Sequence, residues 1–173
     1  MLYLLHQVRS KHFKLGKELT MEKILNWDMD GTIADLYNVE GWCAMLDACN
    51  PMPYIIAEAM VDMYDLWCVL EAFRSAGWVI NIISWNSKSG DNAYHKRVRQ
   101  AKVDWLEDMG ILDCFDHIHV VKYGKPKNYI AKGILVDDNI EVRARWENAG
   151  GIAIDPTKQN FLDVLMDMIK EGM

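Results

Sequence analysis

Five short apolar runs punctuate the chain: Ile24–Asp28, Trp78–Ile83, His117–Val121, Gly133–Val136 and Ile152–Ile154. Ile24–Asp28, the β-branched Trp78–Ile83 and Gly133–Val136 read as buried strands, and His117–Val121 and Ile152–Ile154 as a third and a fifth strand. Between them lie longer stretches with apolar residues three and four apart. Ile55, Ile56, Ala59, Met60, Met63, Leu66, Trp67, Leu70 and Phe73 predict one helix over Tyr54–Ala76, stopped by Gly77. Asn38–Cys49 predicts a shorter helix, broken off by Asn50-Pro51-Met52-Pro53. Ala93–Met109, Ile140–Ala149 and Phe161–Ile169 repeat the helical spacing. Strands that alternate with helices, and are apolar on both faces, predict an α/β fold: a parallel five-stranded sheet between layers of helices.

Polar residues at the ends of these runs change the picture. Asp28 and Asp30, Ser84, and Asp137 and Asp138 each come at or after the end of a predicted strand. In a parallel sheet they gather at one edge, where α/β proteins bind ligands. Four clustered carboxylates repel unless a cation joins them, and an all-oxygen set suits Mg²⁺. Such a site can stabilise a phosphoryl group in transfer, with one Asp as nucleophile and a second as general acid and base. Gly31 permits close backbone approach to a phosphate, and Thr32 opens a turn whose N–H groups can face it. Plainer readings stand beside this one. Asp28-Met29-Asp30-Gly31 can be a turn after a strand or a Ca²⁺-type loop, and Asp137 or Asp138 can simply cap the helix from Ile140.

The order of these groups carries a resemblance. Asp28-Met29-Asp30-Gly31-Thr32 resembles the DxDGT signature of the haloacid dehalogenase superfamily of phosphohydrolases. Ser84 after "VINII", a lysine in "KYGKPKN" and Asp137-Asp138 after "GILV" match the three later motifs in order. The resemblance covers roughly residues 22–155 and implies a Rossmann-like three-layer sandwich with a small helical cap insertion at about 38–60. It also implies a Mg²⁺-dependent phosphomonoester hydrolase that works through an aspartyl-phosphate. Asp28 would be the nucleophile and a metal ligand. Asp30 would be acid and base, with its backbone carbonyl on the metal, and Ser84 would bind phosphoryl oxygens. Asp137 and Asp138 would supply a metal ligand and its support, in either order. Lys125 precedes proline as in the common form of the third motif, whereas Lys127 has the spacing to Asp137 of the deoxyribonucleotidases. Lys127 is preferred, and Lys122 reads as a surface charge. The layout is similar to the 5′(3′)-deoxyribonucleotidase branch and to small phosphatase-like proteins of bacteriophage genomes, which makes a nucleotide the expected substrate. Tyr37, Trp42, Trp85 and Asn86, near the motifs, are the expected substrate-binding side chains; packing is the other reading of both tryptophans. A polynucleotide 3′-phosphatase and a non-catalytic binding module are the alternatives.

Composition narrows the partners. Of 173 residues, 51% are hydrophobic and 25% charged, with a net charge of −6. That balance disfavours nucleic acid and anionic membranes as broad electrostatic partners. Cys43, Cys49, Cys68 and Cys114 form no CxxC pair and read as reduced thiols, so a cytoplasmic setting is expected, that of the host if a phage encodes the chain. No apolar run approaches the roughly 20 residues of a membrane span. His95, Lys96, Arg97, Arg99 and Lys102 read as a solvated basic helix face. The Phe161–Ile169 stripe is core or a homodimer seam. Residues 1–20 are basic, unlike the remainder of the chain, and Met21 opens the segment where a domain would begin; 1–20 are expected to be a non-native extension and 21–173 a single domain.

Overall fold

The sheet forms as the strand pattern requires. A computed structural model describes residues 22–173, so the expectations for residues 1–20 and Met21 lie outside the described residues. The strands are β1 (Ile24–Trp27), β2 (Val79–Trp85), β3 (His117–Val121), β4 (Ile134–Val136) and β5 (Ile152–Ile154). All pair in parallel, in the order β3-β2-β1-β4-β5. The order reverses direction between β1 and β4, which makes their carboxyl ends the switch point of the sheet. The helices are α1 (Trp42–Asp47), α2 (Met52–Ile56), α3 (Met63–Ser75), α4 (Asn92–Asp108), α5 (Ile140–Asn148) and α6 (Phe161–Lys170).

Side-chain alternation assigns the two faces. Leu25, Trp27, Ile80, Ile82, Ile134 and Val136 pack in one cluster with Phe73 of α3, Trp105 of α4 and Leu165 of α6. Ile83 and Leu135 lie in a separate, smaller cluster with Val142 and Trp146 of α5. The helices that link β1, β2 and β3 therefore share a face, as right-handed crossovers running one way across a sheet must. Phe161, Leu165 and Met168 are buried in the larger cluster, so the α6 stripe is core.

The expected helix over Tyr54–Ala76 is two helices with a break at 57–62. Backbone groups in the break bond elsewhere. Asp35 N–H donates to the Glu58 carbonyl and Met60 N–H to that of Ile33, while the Trp105 indole donates to the Ala57 carbonyl at 2.7 Å. Asp62 then caps α3, accepting from the N–H groups of Tyr64 and Asp65. Pairing with the loop after β1 thus overrides helical periodicity. Helices α1 and α2 pack through Leu46 and Tyr54 on Tyr94, Val98 and Ala101 of α4, beside the sheet's carboxyl edge.

One polar contact runs through the sheet centre. Asn26 pairs in register with Asn81 of β2 and Leu135 of β4. Its amide donates to the Lys132 and Ile134 carbonyls at 2.8 and 2.9 Å, and its oxygen accepts from the Asn81 amide at 3.1 Å. A buried amide satisfied this way penalises any slip of the three central strands. Asn26→Ala is predicted to lower the unfolding free energy by about 3 kcal/mol in urea denaturation, from the orphaned partners and the cavity together. A loss below about 0.5 kcal/mol, the scale of a neutral surface change, would show that register does not depend on it.

Candidate active site

Where β1 ends, Asp28 N–H still bonds the Val136 carbonyl at 2.8 Å, and this keeps the ends of β1 and β4 together. The next residues turn sharply: Thr32, Ile33 and Ala34 N–H groups all donate to the Met29 carbonyl. Gly31 sits at φ +77°, and a Cβ there would lie 2.6 Å from Asp138 Oδ2 and 2.6 Å from the Tyr37 ring. Only glycine allows that approach. Thr32 is buried and its hydroxyl accepts from Asp138 N–H at 3.2 Å, tying the loop after β1 to the loop after β4.

Lys127 holds the centre. It comes directly after Pro126, in a single 3₁₀ turn over Lys127–Tyr129, and is 2% exposed. Its Nζ lies 2.8 Å from Asp28 Oδ1 and 2.7 Å from Asp137 Oδ2, and 5.4 Å from the centre of the Trp85 ring. Burial alone would lower its pKa, but Asp28 and Asp137 outweigh that and hold it above the ordinary value. Lys125 is exposed and offers only its carbonyl, which accepts from the Trp85 indole at 2.9 Å. Burial thus separates the two candidate lysines: Lys127 joins the aspartates and Lys125 does not. Lys122 is exposed, as expected.

The two aspartates after β4 differ in their partners. Asp137 is fully buried, with one oxygen on Lys127 and the other accepting from Asn139 N–H at 2.9 Å. Asp138 is partly exposed and lines the cavity in front of the cluster. Neither caps α5; Asn139 does, accepting from the N–H groups of Glu141 and Val142. Oxygens of Asp28, Asp137 and Asp138 lie within 4.8 Å of one another, the one such cluster of potential metal ligands among the described residues. Burial, and then the charge of Asp28, push Asp137 up to about 7 and Asp138 up to about 6.

Lys102 was not expected here. Instead of standing on a solvated face with Lys96, Arg97 and Arg99, it is fully buried. Its Nζ lies 2.5 Å from Asp30 Oδ2 and 2.8 Å from Ser84 Oγ, and 4.5 Å from the centre of the Tyr54 ring. Burial raises the Asp30 pKa, and Lys102 opposes this. The sequence held a signal: Lys102 continues the buried stripe of Tyr94, Val98 and Trp105 at helical spacing. Ser84 is likewise fully buried inside β2, so its hydroxyl meets Lys102 and does not line the cavity.

The cavity itself holds about 230 Å³. Tyr37 and Trp42, in edge-on contact at 5.4 Å, line one part of it, and Trp85 and Tyr123, 5.2 Å apart, line another. Asn86 also lines it, but its amide is committed to the turn, bonding His95 O and Ser87 N–H. Four carboxylates, those of Asp28, Asp30, Asp137 and Asp138, thus gather around two ammonium groups, those of Lys102 and Lys127, in a part-buried site.

No protein-family model matches the chain, and no curated protein matches it. Among solved structures, an uncharacterised protein from Corynebacterium glutamicum shares 17% identity, with 86% of this chain and 93% of that one covered, at a TM-score of 0.43. A likeness of that size carries no argument about function. Among the described residues no helix is long and apolar enough to cross a membrane, and all four cysteines are free.

The raised carboxylates fix a pH dependence. Asp137 and Asp138 bind protons more tightly in the fold than at their ordinary value of 3.8. Their contribution to stability is fully present below about pH 4 and lost as pH rises through about 6 and 7. In metal-free protein, Asp138→Asn is therefore predicted to gain Tm relative to the parent as pH rises from about 4 to about 8. Parallel Tm profiles for the two proteins would contradict the crowding of carboxylates described here.

Proposed function

We propose that this protein is a Mg²⁺-dependent phosphomonoesterase. The reading rests on one observation above the others: Lys127 bridges Asp28 and Asp137 at the switch point, and Asp138 adds a third carboxylate to the same cluster. Hard oxygen donors of this kind suit Mg²⁺. Asp28 and Asp138 would hold it, with the Asp30 backbone carbonyl beside them, and Asp137, bonded to Lys127 and to Asn139 N–H, would support them from behind. Bound there, the ion would neutralise charge on the transferring phosphoryl group.

The protein's own groups account for the rest. Met29 N–H and Lys127 both engage Asp28 Oδ1, which leaves Oδ2 as the attacking atom. Attack forms the aspartyl-phosphate and breaks the bond from phosphorus to the leaving oxygen, which takes the proton of Asp30. Asp30, now a carboxylate, accepts a proton from water as that water attacks phosphorus, and the bond to Asp28 breaks to free inorganic phosphate. Lys127 steadies the phosphoryl oxygens. Ser84, turned toward Lys102, supports the acid–base pair instead of contacting phosphate.

The cavity suits a small phosphomonoester with a planar group between the aromatic residues, as in a nucleoside monophosphate. The test is inorganic phosphate release with Mg²⁺ from 5′- and 3′-nucleotides, sugar phosphates and a 3′-phosphorylated oligonucleotide. Asp28→Asn is predicted to lower kcat by about 10³-fold or more, and Lys127→Met to do so by about 10²-fold. EDTA is predicted to abolish release. Activity undiminished in Asp28→Asn, or full activity in EDTA, would overturn the reading; release from the oligonucleotide alone would make the protein a polynucleotide 3′-phosphatase.

A further inference from the structure

We infer that Lys102 is a positioning residue for Asp30, fixing the orientation of the carboxyl group that serves the leaving group; this rests on the phosphatase reading above. The pair stands deep in the protein: the Lys102 side chain is 0% exposed and that of Asp30 14%. A buried ion pair is weak evidence for stability, because desolvation offsets most of its attraction. Its geometry shows a different use. Three neighbours surround the ammonium group: Asp30 Oδ2, Ser84 Oγ and the face of the Tyr54 ring. These come from the loop after β1, from β2 and from α2, so Nζ is fixed by three separate parts of the fold. One carboxylate oxygen of Asp30 is thereby pinned, and Oδ1 is the oxygen left to carry a proton toward the cavity that Asp30 lines. Lys102 does not line that cavity, so it acts through Asp30 and not on substrate.

The companion lysine makes the contrast. Lys127 joins the nucleophile to Asp137 and lines the cavity, while Lys102 joins the acid–base residue to Ser84 behind it. Each of the two carboxylates that would take part in covalent or proton chemistry has its own buried ammonium group. Loss of Lys127 should therefore harm every substrate, and loss of Lys102 should harm those that need a proton on the leaving oxygen.

Leaving-group dependence tests this. p-Nitrophenolate departs without a proton, whereas the alkoxide from benzyl phosphate needs one. The quantity to compare is kcat/KM, which covers steps up to departure of the alcohol and excludes later hydrolysis of the aspartyl-phosphate. With Mg²⁺, Lys102→Met is expected to lower kcat/KM for benzyl phosphate about 100-fold and for p-nitrophenyl phosphate less than about 5-fold. Equal losses on both substrates, or none on either, would overturn the inference. Should Lys102→Met leave Asp30 buried and unpaired and fail to fold, Lys102→Met with Asp30→Asn removes both charges together. That double variant is expected to match Asp30→Asn alone on benzyl phosphate within about 2-fold, since Lys102 acts through Asp30. A further loss of about 10-fold or more would overturn it. Absence of Asp28-dependent hydrolysis in the parent protein would sink the phosphatase reading instead, and this inference with it.

Discussion

A single ammonium group, Lys127 Nζ, joins the ends of the two strands on which the site is built. Asp28 closes β1 and Asp137 closes β4, and without a cation between them two buried carboxylates would face each other at the sheet edge. The cost of bringing all three groups out of water is large, and the attraction offsets it only while the three remain together. The short turn that carries Lys127 is fixed by the same contact. Neighbouring contacts build outward from that anchor: Thr32 bonds to Asp138 N–H, Asp138 lies against Gly31, and Tyr37 lies against Gly31 as well.

Around this anchor the fold brings three further pieces. The loop after β1 pairs with residues 58–60, which interrupts what would have been one long helix and sets α1 and α2 beside the carboxyl edge. Helix α4 supplies Tyr94, Val98 and Ala101 as their packing surface and sends Lys102 inward to Asp30. The loop after β3 places Tyr123 against Trp85 and receives the Trp85 indole on the Lys125 carbonyl. A site with both of its candidate reacting carboxylates paired to buried lysines is preorganised.

Much of this was legible in the residues because the signals were local. The runs at 117–121 and 152–154 match β3 and β5 to the residue, since apolar β-branched runs bounded by turns have few other uses. Asp28, Asp30, Asp137 and Asp138 could be placed together because parallel topology sends every carboxyl end to one edge. What escaped depended on tertiary partners. The break at 57–62 arises from hydrogen bonds to Ile33 and Asp35, far from any periodicity in the segment itself. Lys102 was hidden among basic neighbours, and only its position on the apolar stripe of α4 set it apart. Lys125 and Lys127 are two residues apart and chemically identical, so only burial could separate them.

In the proposed mechanism Asp28 carries the phosphoryl group, and trapping tests that most directly. Borohydride added during turnover of p-nitrophenyl phosphate reduces an aspartyl-phosphate to homoserine, which mass spectrometry locates by residue. Homoserine at position 28, dependent on substrate and on Mg²⁺ and missing in Asp28→Asn, is the predicted result. Turnover with Asp28 unmodified, or with the label on another residue, would contradict the claim.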